Sequence, residues 1–443
     1  MSITLTLYAP NGASNEQFTC RSGNTYSSDA YGFVKSVVSG DVNDLENAGC
    51  ISLGMSQSRN NLSATTDPTP SNDNTQDYAI GGIWVNTTNG NVWECYGATT
   101  GAALWNLTSQ APNVFRNLLD GGDFSINPWQ RGTTFTGITN SVAYTADRWF
   151  ADAANSANSI SVSQQSTSTS LPGFTEALQW GRASTNTDTH AIYLGQVMES
   201  ADCLRVQGQQ VTLSFWAKAG ANFSAASSAL TVGLNHSTTA GNDTAAHLVA
   251  ASTNWQSAPT IINTTATLTT SWARYQFTGT VPATATQLGL LFSYLTVGTA
   301  GANDWVQFAG IQLEQGGSAT PFEHRDIAVE TEICQRYCYV LGGTTGAIGS
   351  GAATSSTAAG FYIPFPVQMY AAPSAISLAT AADLSVYTYA NASVGALSAA
   401  AFGSASLNAI HVTVTSSGMT SAVPYVLYVG TAKTGNLVIS CDF

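Results

Sequence analysis

Two tryptophans stand out by their spacing. In Val211-Thr-Leu-Ser-Phe-Trp-Ala, the apolar Val211, Leu213, Phe215 and Ala217 alternate with Thr212, Ser214 and Trp216, so a strand here carries Trp216 on its polar side. A second segment puts Trp272, Arg274 and Gln276 on one side and Ala273, Tyr275 and Phe277 on the other. An indole beside a guanidinium and an amide suits a sugar, because the ring lies on the apolar face of a pyranose while polar groups bond its hydroxyls. Trp180, in Gln179-Trp-Gly, and Trp255, in Asn254-Trp-Gln, occupy loop-like contexts and are candidates for the same role. The competing assignment for each is a Trp that covers a sheet or meets a second subunit, since Trp is usually highly buried. Trp149, within Asp147-Arg148-Trp149-Phe150, is assigned to structure, with Asp147 and Arg148 as paired charges.

Bond-breaking chemistry finds less support. A glycosidase needs two acids flanking the scissile bond; Glu176, Asp188, Glu199, Asp202, Asp243 and Asp304 are available, but no spacing rule brings any two together. They are expected to be caps, turn residues or partners of the ten Arg, and no catalytic residue is assigned. His190, His236, His247, His324 and His411 are isolated, without the spacing of a transition-metal site. Gly-x-Ser-x-Gly, Walker A and dinucleotide fingerprints do not occur. Seven Cys lie scattered, and Cys334 with Cys338 makes only two ligands, so all are expected to be buried thiols.

The elements that must position these residues are strands. Only 9% of the 443 residues are charged, where ~25% is usual. Ser, Thr, Asn, Gln and 40 Gly take their place, which suits short strands with hydroxyls outward and many turns. The net charge of −13, with no Lys/Arg cluster, argues against nucleic acid and anionic membranes as partners. No apolar run reaches the ~18 residues of a spanning helix. The first residues alternate like a strand and lack a basic leader, so synthesis and folding in a cytosol are expected.

The expected fold class is mainly β: small N-terminal modules, a large jelly-roll β-sandwich, and a second, smaller C-terminal β-sandwich, with one short helix between the two. Residues 1–55 read as two short strands and a helix, with Asp41 as its cap and Gly49 as its stop. Residues 56–77, polar and holding Pro68 and Pro70, read as a linker. In 78–112, two alternating runs around Asn89-Gly90 read as a hairpin in which Trp84 faces Trp93, followed by a Leu104-Trp105-Asn106-Leu107 strand. So small a unit is marginal alone and is expected to pack against copies of itself. The jelly roll is placed at 113–325. The helix Ile327 to Tyr337 and the second sandwich are placed at 326–443, with the Gly/Ala/Ser/Thr stretch 342–360 as a flexible loop.

Several motifs, in this order, resemble one family. Asn117-Leu-Leu-Asp-Gly-Gly-Asp-Phe-Ser-Ile-Asn-Pro-Trp-Gln-Arg-Gly, Ala146-Asp-Arg-Trp-Phe and Leu213-Ser-Phe-Trp-Ala-Lys-Ala are similar to the large β-domain of fibre and spike proteins of tailed bacteriophages and gene transfer agents. Ile311-Gln-Leu-Glu-Gln-Gly, Ala319-Thr-Pro-Phe-Glu-His-Arg and Cys334-Gln-Arg-Tyr resemble the junction in those proteins, and Phe365-Pro-Val-Gln-Met-Tyr-Ala-Ala-Pro the strand opening their C-terminal domain. The Gly82-Ile-Trp-Val-Asn-Thr-Thr-Asn-Gly hairpin is similar to a small phage-fibre module. Where the family carries Met-Arg-Ala-Ala-Pro, this chain has Tyr370 in place of the Arg.

The resemblance implies a non-enzymatic head or tail fibre or spike of a virion, made in the host bacterial cytoplasm. Residues 1–55 would attach it to capsid, portal or tail proteins, the chain would form a homotrimer, and the distal β-domains would bind host surface polysaccharide. The alternatives are a polysaccharide depolymerase spike, or a head-decorating or adaptor subunit without ligand. It also implies a candidate structural calcium between the first and last jelly-roll strands, near Asp123 and Asp304, where oxygen ligands suit that ion; the competing reading of both is turn formation. No other cofactor is expected.

Overall fold

The computed structural model describes residues 4–52, 59–87, 91–108, 116–155, 159–167, 170–238, 244–251, 255, 261–341, 346–378, 380–390, 392–429 and 437–442. The Asn89-Gly90 turn and Asp243 lie outside them. The described chain is mainly β, as the alternating patterns predict. No helix among the described residues is long and apolar enough to cross a membrane. Contacts divide the chain into Met1–Val114 and Phe115–Phe443.

The first unit opens with a three-stranded sheet, Thr4–Tyr8 between Phe33–Val38 and Ile51–Ser52, over a core of Leu7, Val34, Val37 and Leu45. Asp41 precedes the helix Val42–Asn47 but does not cap it; its carboxylate accepts instead from Asn24 Nδ2 at 2.7 Å and Tyr26 OH at 2.8 Å. Gly49, at φ +91°, does end that helix. Residues 59–77 of the polar stretch expected as a linker are folded. Asn61–Ala64 pairs parallel with Ile83–Asn86, and a four-stranded sheet results. Trp84 stands opposite Trp93, as the hairpin pattern predicts. The stretch also meets a polar demand: Trp84 Nε1 donates to the Thr66 carbonyl at 2.7 Å and Trp105 Nε1 to that of Asn72 at 3.1 Å.

In the second unit, two six-stranded antiparallel sheets face one another. The front sheet runs, in spatial order, Thr134–Ile138, Ile160–Ser166, Glu176–Arg182, Trp305–Gln315, Gln210–Ala219 and Ala273–Thr280. Between the sheets lie Val162, Leu178, Trp180, Leu213, Phe215, Val306 and Phe308, with Leu290 and Phe292 opposite. The alternate residues of the same strands therefore point outward.

The helix Ile327–Gln335 follows, capped by Asp326, whose Oδ1 accepts from Ala328 N at 2.8 Å. Beyond it a sandwich is expected, but six strands close into a barrel. One of them, Gly346–Ala353, comes from the stretch expected as a flexible loop, which also supplies the first three residues of Ala358–Pro364, and Ser393–Ala405 is another strand of small residues. Glycine here permits close strand approach, since a Cβ on Gly351 would stand 1.8 Å from the Gly360 carbonyl oxygen. Polar pairs join the segments that flank the barrel to the sandwich. Arg336 Nε donates to Glu199 at 2.8 Å, Arg131 pairs with Asp442, and the Arg148 guanidinium lies 3.5 Å from the Tyr337 ring centroid. Tyr370, at the family's Arg position, stacks on Tyr337 at 5.8 Å. All seven Cys are buried and free.

Candidate functional site

The outward residues of the front sheet form a graded surface. One row follows the ladder from Ser163 to Gln179, to Gln307, to Lys218. It ends at Trp272, whose ring centroid is 5.0 Å from Lys218 Nζ. Neighbouring strands lie ~4.8 Å apart, so these five positions span about 19 Å, room for an oligosaccharide rather than a single ring. Gln307 Nε2 donates to Gln179 Oε1 at 2.9 Å, while the buried Gln307 Oε1 has no partner among the described residues. At one end Trp305 leans over Gly220, where a Cβ would meet its Cε2 at 2.7 Å. Burial pushes the Lys218 ammonium below its ordinary pKa.

A second row carries Trp216, opposite Ala309 on one side and Arg274 on the other. Here the surface is walled. Leu171 and Phe174 pack on Ala177 and Ala309, with Trp216, Trp272 and Phe322 against them. Phe174 fits because residue 310 is glycine: a Cβ there would lie 2.3 Å from the ring. Farther along, Arg274 donates to Ser214 Oγ at 3.2 Å and to the Thr320 carbonyl, which ties residues 316–324 over that end of the sheet. Glu314 holds this segment, accepting from Thr320 N at 2.8 Å and Thr320 Oγ1 at 2.6 Å. The open part is thus a polar, amide-lined row backed by an aromatic wall.

Trp216, Trp272, Arg274 and Gln276 are brought together as the alternation predicts. Both indoles are half-buried, and Arg274 and Gln276 are exposed. The Trp272 Nε1 donates to Ser170 Oγ at 3.2 Å, which fixes the ring.

Trp180 and Trp255 are corrected. Trp180 shares its strand face with Leu178, is 0% exposed, and packs on Tyr294 at 5.1 Å between the sheets. Trp255 is 3% exposed, held with Phe150, Val197 and Leu248 on the outer side of the back sheet, where the helix Ala245–Ala250 lies. Neither ring can stack on a ligand. Gln179, Gln307 and Lys218 went unassigned although their signal is present: each is a polar residue between two apolar ones in a strand.

Asp123 and Asp304 do not form one metal site. Asp304 Oδ2 accepts from Arg182 Nε at 2.8 Å and its Oδ1 from Ser224 N at 2.9 Å. Asp123 takes Ser125 N at 3.1 Å and contacts His324 Nδ1 at 2.8 Å. The two also sit at opposite ends of Trp305–Gln315, since Asp304 precedes it and the Gly122 carbonyl accepts from Ile311 N at 3.1 Å. Seven residues of strand separate those points by ~23 Å. Other acids have partners as well: Glu199 with Arg336, Asp202 with Arg205, and Asp188 with His190.

No protein-family model matches the chain, and no curated protein matches it. Among solved structures it is similar to the enzymatically active domain of Bacteriophage CBA120 tailspike protein 4, with 12% identity and a TM-score of 0.27 over 46% of this chain and 22% of that one. It is also similar to a CBM4 domain, with 20% identity and a TM-score of 0.25 over 43% of this chain and 100% of the other. The CBM22-1 xylan-binding domain of Paenibacillus barcinonensis Xyn10C gives 14% identity and a TM-score of 0.24 over 41% and 99%.

Proposed function

We propose that this chain is a non-enzymatic fibre or spike subunit of a phage virion whose sandwich binds a host surface glycan on the outer face of its front sheet. The observation that carries the binding role is the row of half-buried Gln179, Lys218 and Trp272 on the outer face of the front sheet, with buried Gln307 holding the Gln179 amide in place from beneath. The Gln179 amide can bond a sugar hydroxyl, and an indole fixed by its own hydrogen bond stacks at low entropic cost. The virion role rests on the ordered motifs of the sequence. That Asp188, Glu199, Asp202 and Asp304 serve as partners of Arg or His favours binding over hydrolysis.

A glycan array probed with the full chain, followed by calorimetry on the best hit, tests this. Trp272→Ala or Gln179→Ala should weaken binding ~5- to 20-fold, the ~1–2 kcal/mol of a stacking contact or hydrogen bond. Tyr389→Ala, an exposed aromatic of the barrel, should change nothing. Trp272→Ala binding as the wild type does would overturn the site. An array without hits would favour the ligand-free subunit, and shortened polymer after incubation would favour the depolymerase.

The same reading includes a homotrimer. Its physical support is the module at residues 59–108, which buries a small aromatic core yet exposes Leu62, Ile80, Tyr96 and Leu104. Light scattering of the purified chain should give three copies; a monomer at micromolar concentration would remove this part.

A further inference from the structure

Cations are scarce in this chain, 13 Lys and Arg against 26 acids, and carboxylates take them up readily. Arg182 is held by Asp304, Arg336 by Glu199, and Lys35 by Asp29 and Asp77. Lys218 departs from the pattern. Among the described residues no carboxylate lies within 4.0 Å of its Nζ, although the side chain is half-buried on the strand beside the front sheet's edge strand. Its neighbours are Gln307, a neutral amide across the ladder, and the Trp272 ring, which attracts a cation weakly. A partly desolvated ammonium without a counter-charge is costly, and an anion delivered by a ligand would offset that cost. The net charge of −13 repels free anions generally, so an anionic ligand needs such a local cation.

Resting on the glycan reading above, we propose that Lys218 makes this face selective for an anionic saccharide, with the sugar's carboxylate or sulfate at Nζ and its ring against Trp272. Neighbouring Gln179 then takes a hydroxyl, and Arg274 offers a second cation one row along.

Calorimetry of the full chain at low salt, with tetragalacturonate, a sulfated galactan tetrasaccharide and cellotetraose, tests it. One of the two anionic probes should bind ~10-fold more tightly than cellotetraose, with an advantage that shrinks as salt rises. Which one does separates carboxylate from sulfate recognition. Lys218→Gln should erase the preference for the anionic probe, and Lys218→Arg should retain it, with near-ultraviolet circular dichroism confirming the fold of each. Equal or better binding of cellotetraose, or a preference that survives Lys218→Gln, overturns the inference and leaves the glycan site standing. Failure of all three probes to bind counts against the site itself.

Discussion

Arg182→Met should destabilise the sandwich by ~3–5 kcal/mol, the cost of leaving one partner of a buried pair uncompensated. Arg182 and Asp304 have fully buried side chains, and the guanidinium does more than neutralise the acid. Its Nη1 donates to the carbonyls of Asp188 at 2.6 Å and Gly298 at 2.9 Å, and its Nη2 to Val297 at 3.2 Å. One side chain thus gathers two loops at the strand end where Trp305 begins, so its loss should also loosen that edge of the glycan face. Urea unfolding followed by Trp fluorescence measures the effect. Adding Asp304→Leu should recover part of the loss, because the stranded charge is gone while the carbonyls remain without a donor. A loss below ~1 kcal/mol would show that the pair is not holding this end together.

Thermal stability should peak near pH 5 and fall by roughly 5 °C or more toward pH 7.5. Burial raises the carboxyls of Asp147, Asp152 and Asp202 from 3.8 to about 6. For Asp147 it outweighs hydrogen bonds from Gln130 and the charge of Arg131. Burial also raises Asp442, despite Arg131. A carboxyl with a raised folded pKa binds its proton more tightly folded than unfolded. Its contribution is therefore complete below about 4 and is lost as pH climbs through 6. Glu199 acts oppositely: Arg336 and Tyr337 overcome its burial and hold it low, so its contribution disappears in acid. His236, pushed down from 6.5 by burial, favours higher pH, but it is one group against four raised carboxyls. Scans of the full chain between pH 4 and 8 check this, and Asp147→Asn should flatten the slope. A midpoint rising steadily from pH 5 to 7.5 would contradict it.

Alternation alone assigned Trp216, Trp272, Arg274 and Gln276 to common faces, because in a strand the direction of each side chain follows from its parity. The same rule was available for Trp180, which shares parity with Leu178, but the flanking Gln and Gly suggested a turn. Trp255 offered no such signal. Its burial depends on a connection folding back over the other sheet, a contact between residues distant in sequence. The strands of Gly, Ala and Ser were illegible for a different reason. Small side chains have little intrinsic preference for strand, and only the neighbours supplied by a closed barrel make them one.

Composition and periodicity by themselves determined a β-rich chain with few charges, free buried thiols, and a polar face on each strand. Tertiary structure decided which polar face stays open and that Asp304 serves Arg182 rather than an ion. It also decided that Lys218 stands without a carboxylate among the described residues. These depend on which strands become neighbours and which loops fold over them, and a one-dimensional pattern carries no information about either.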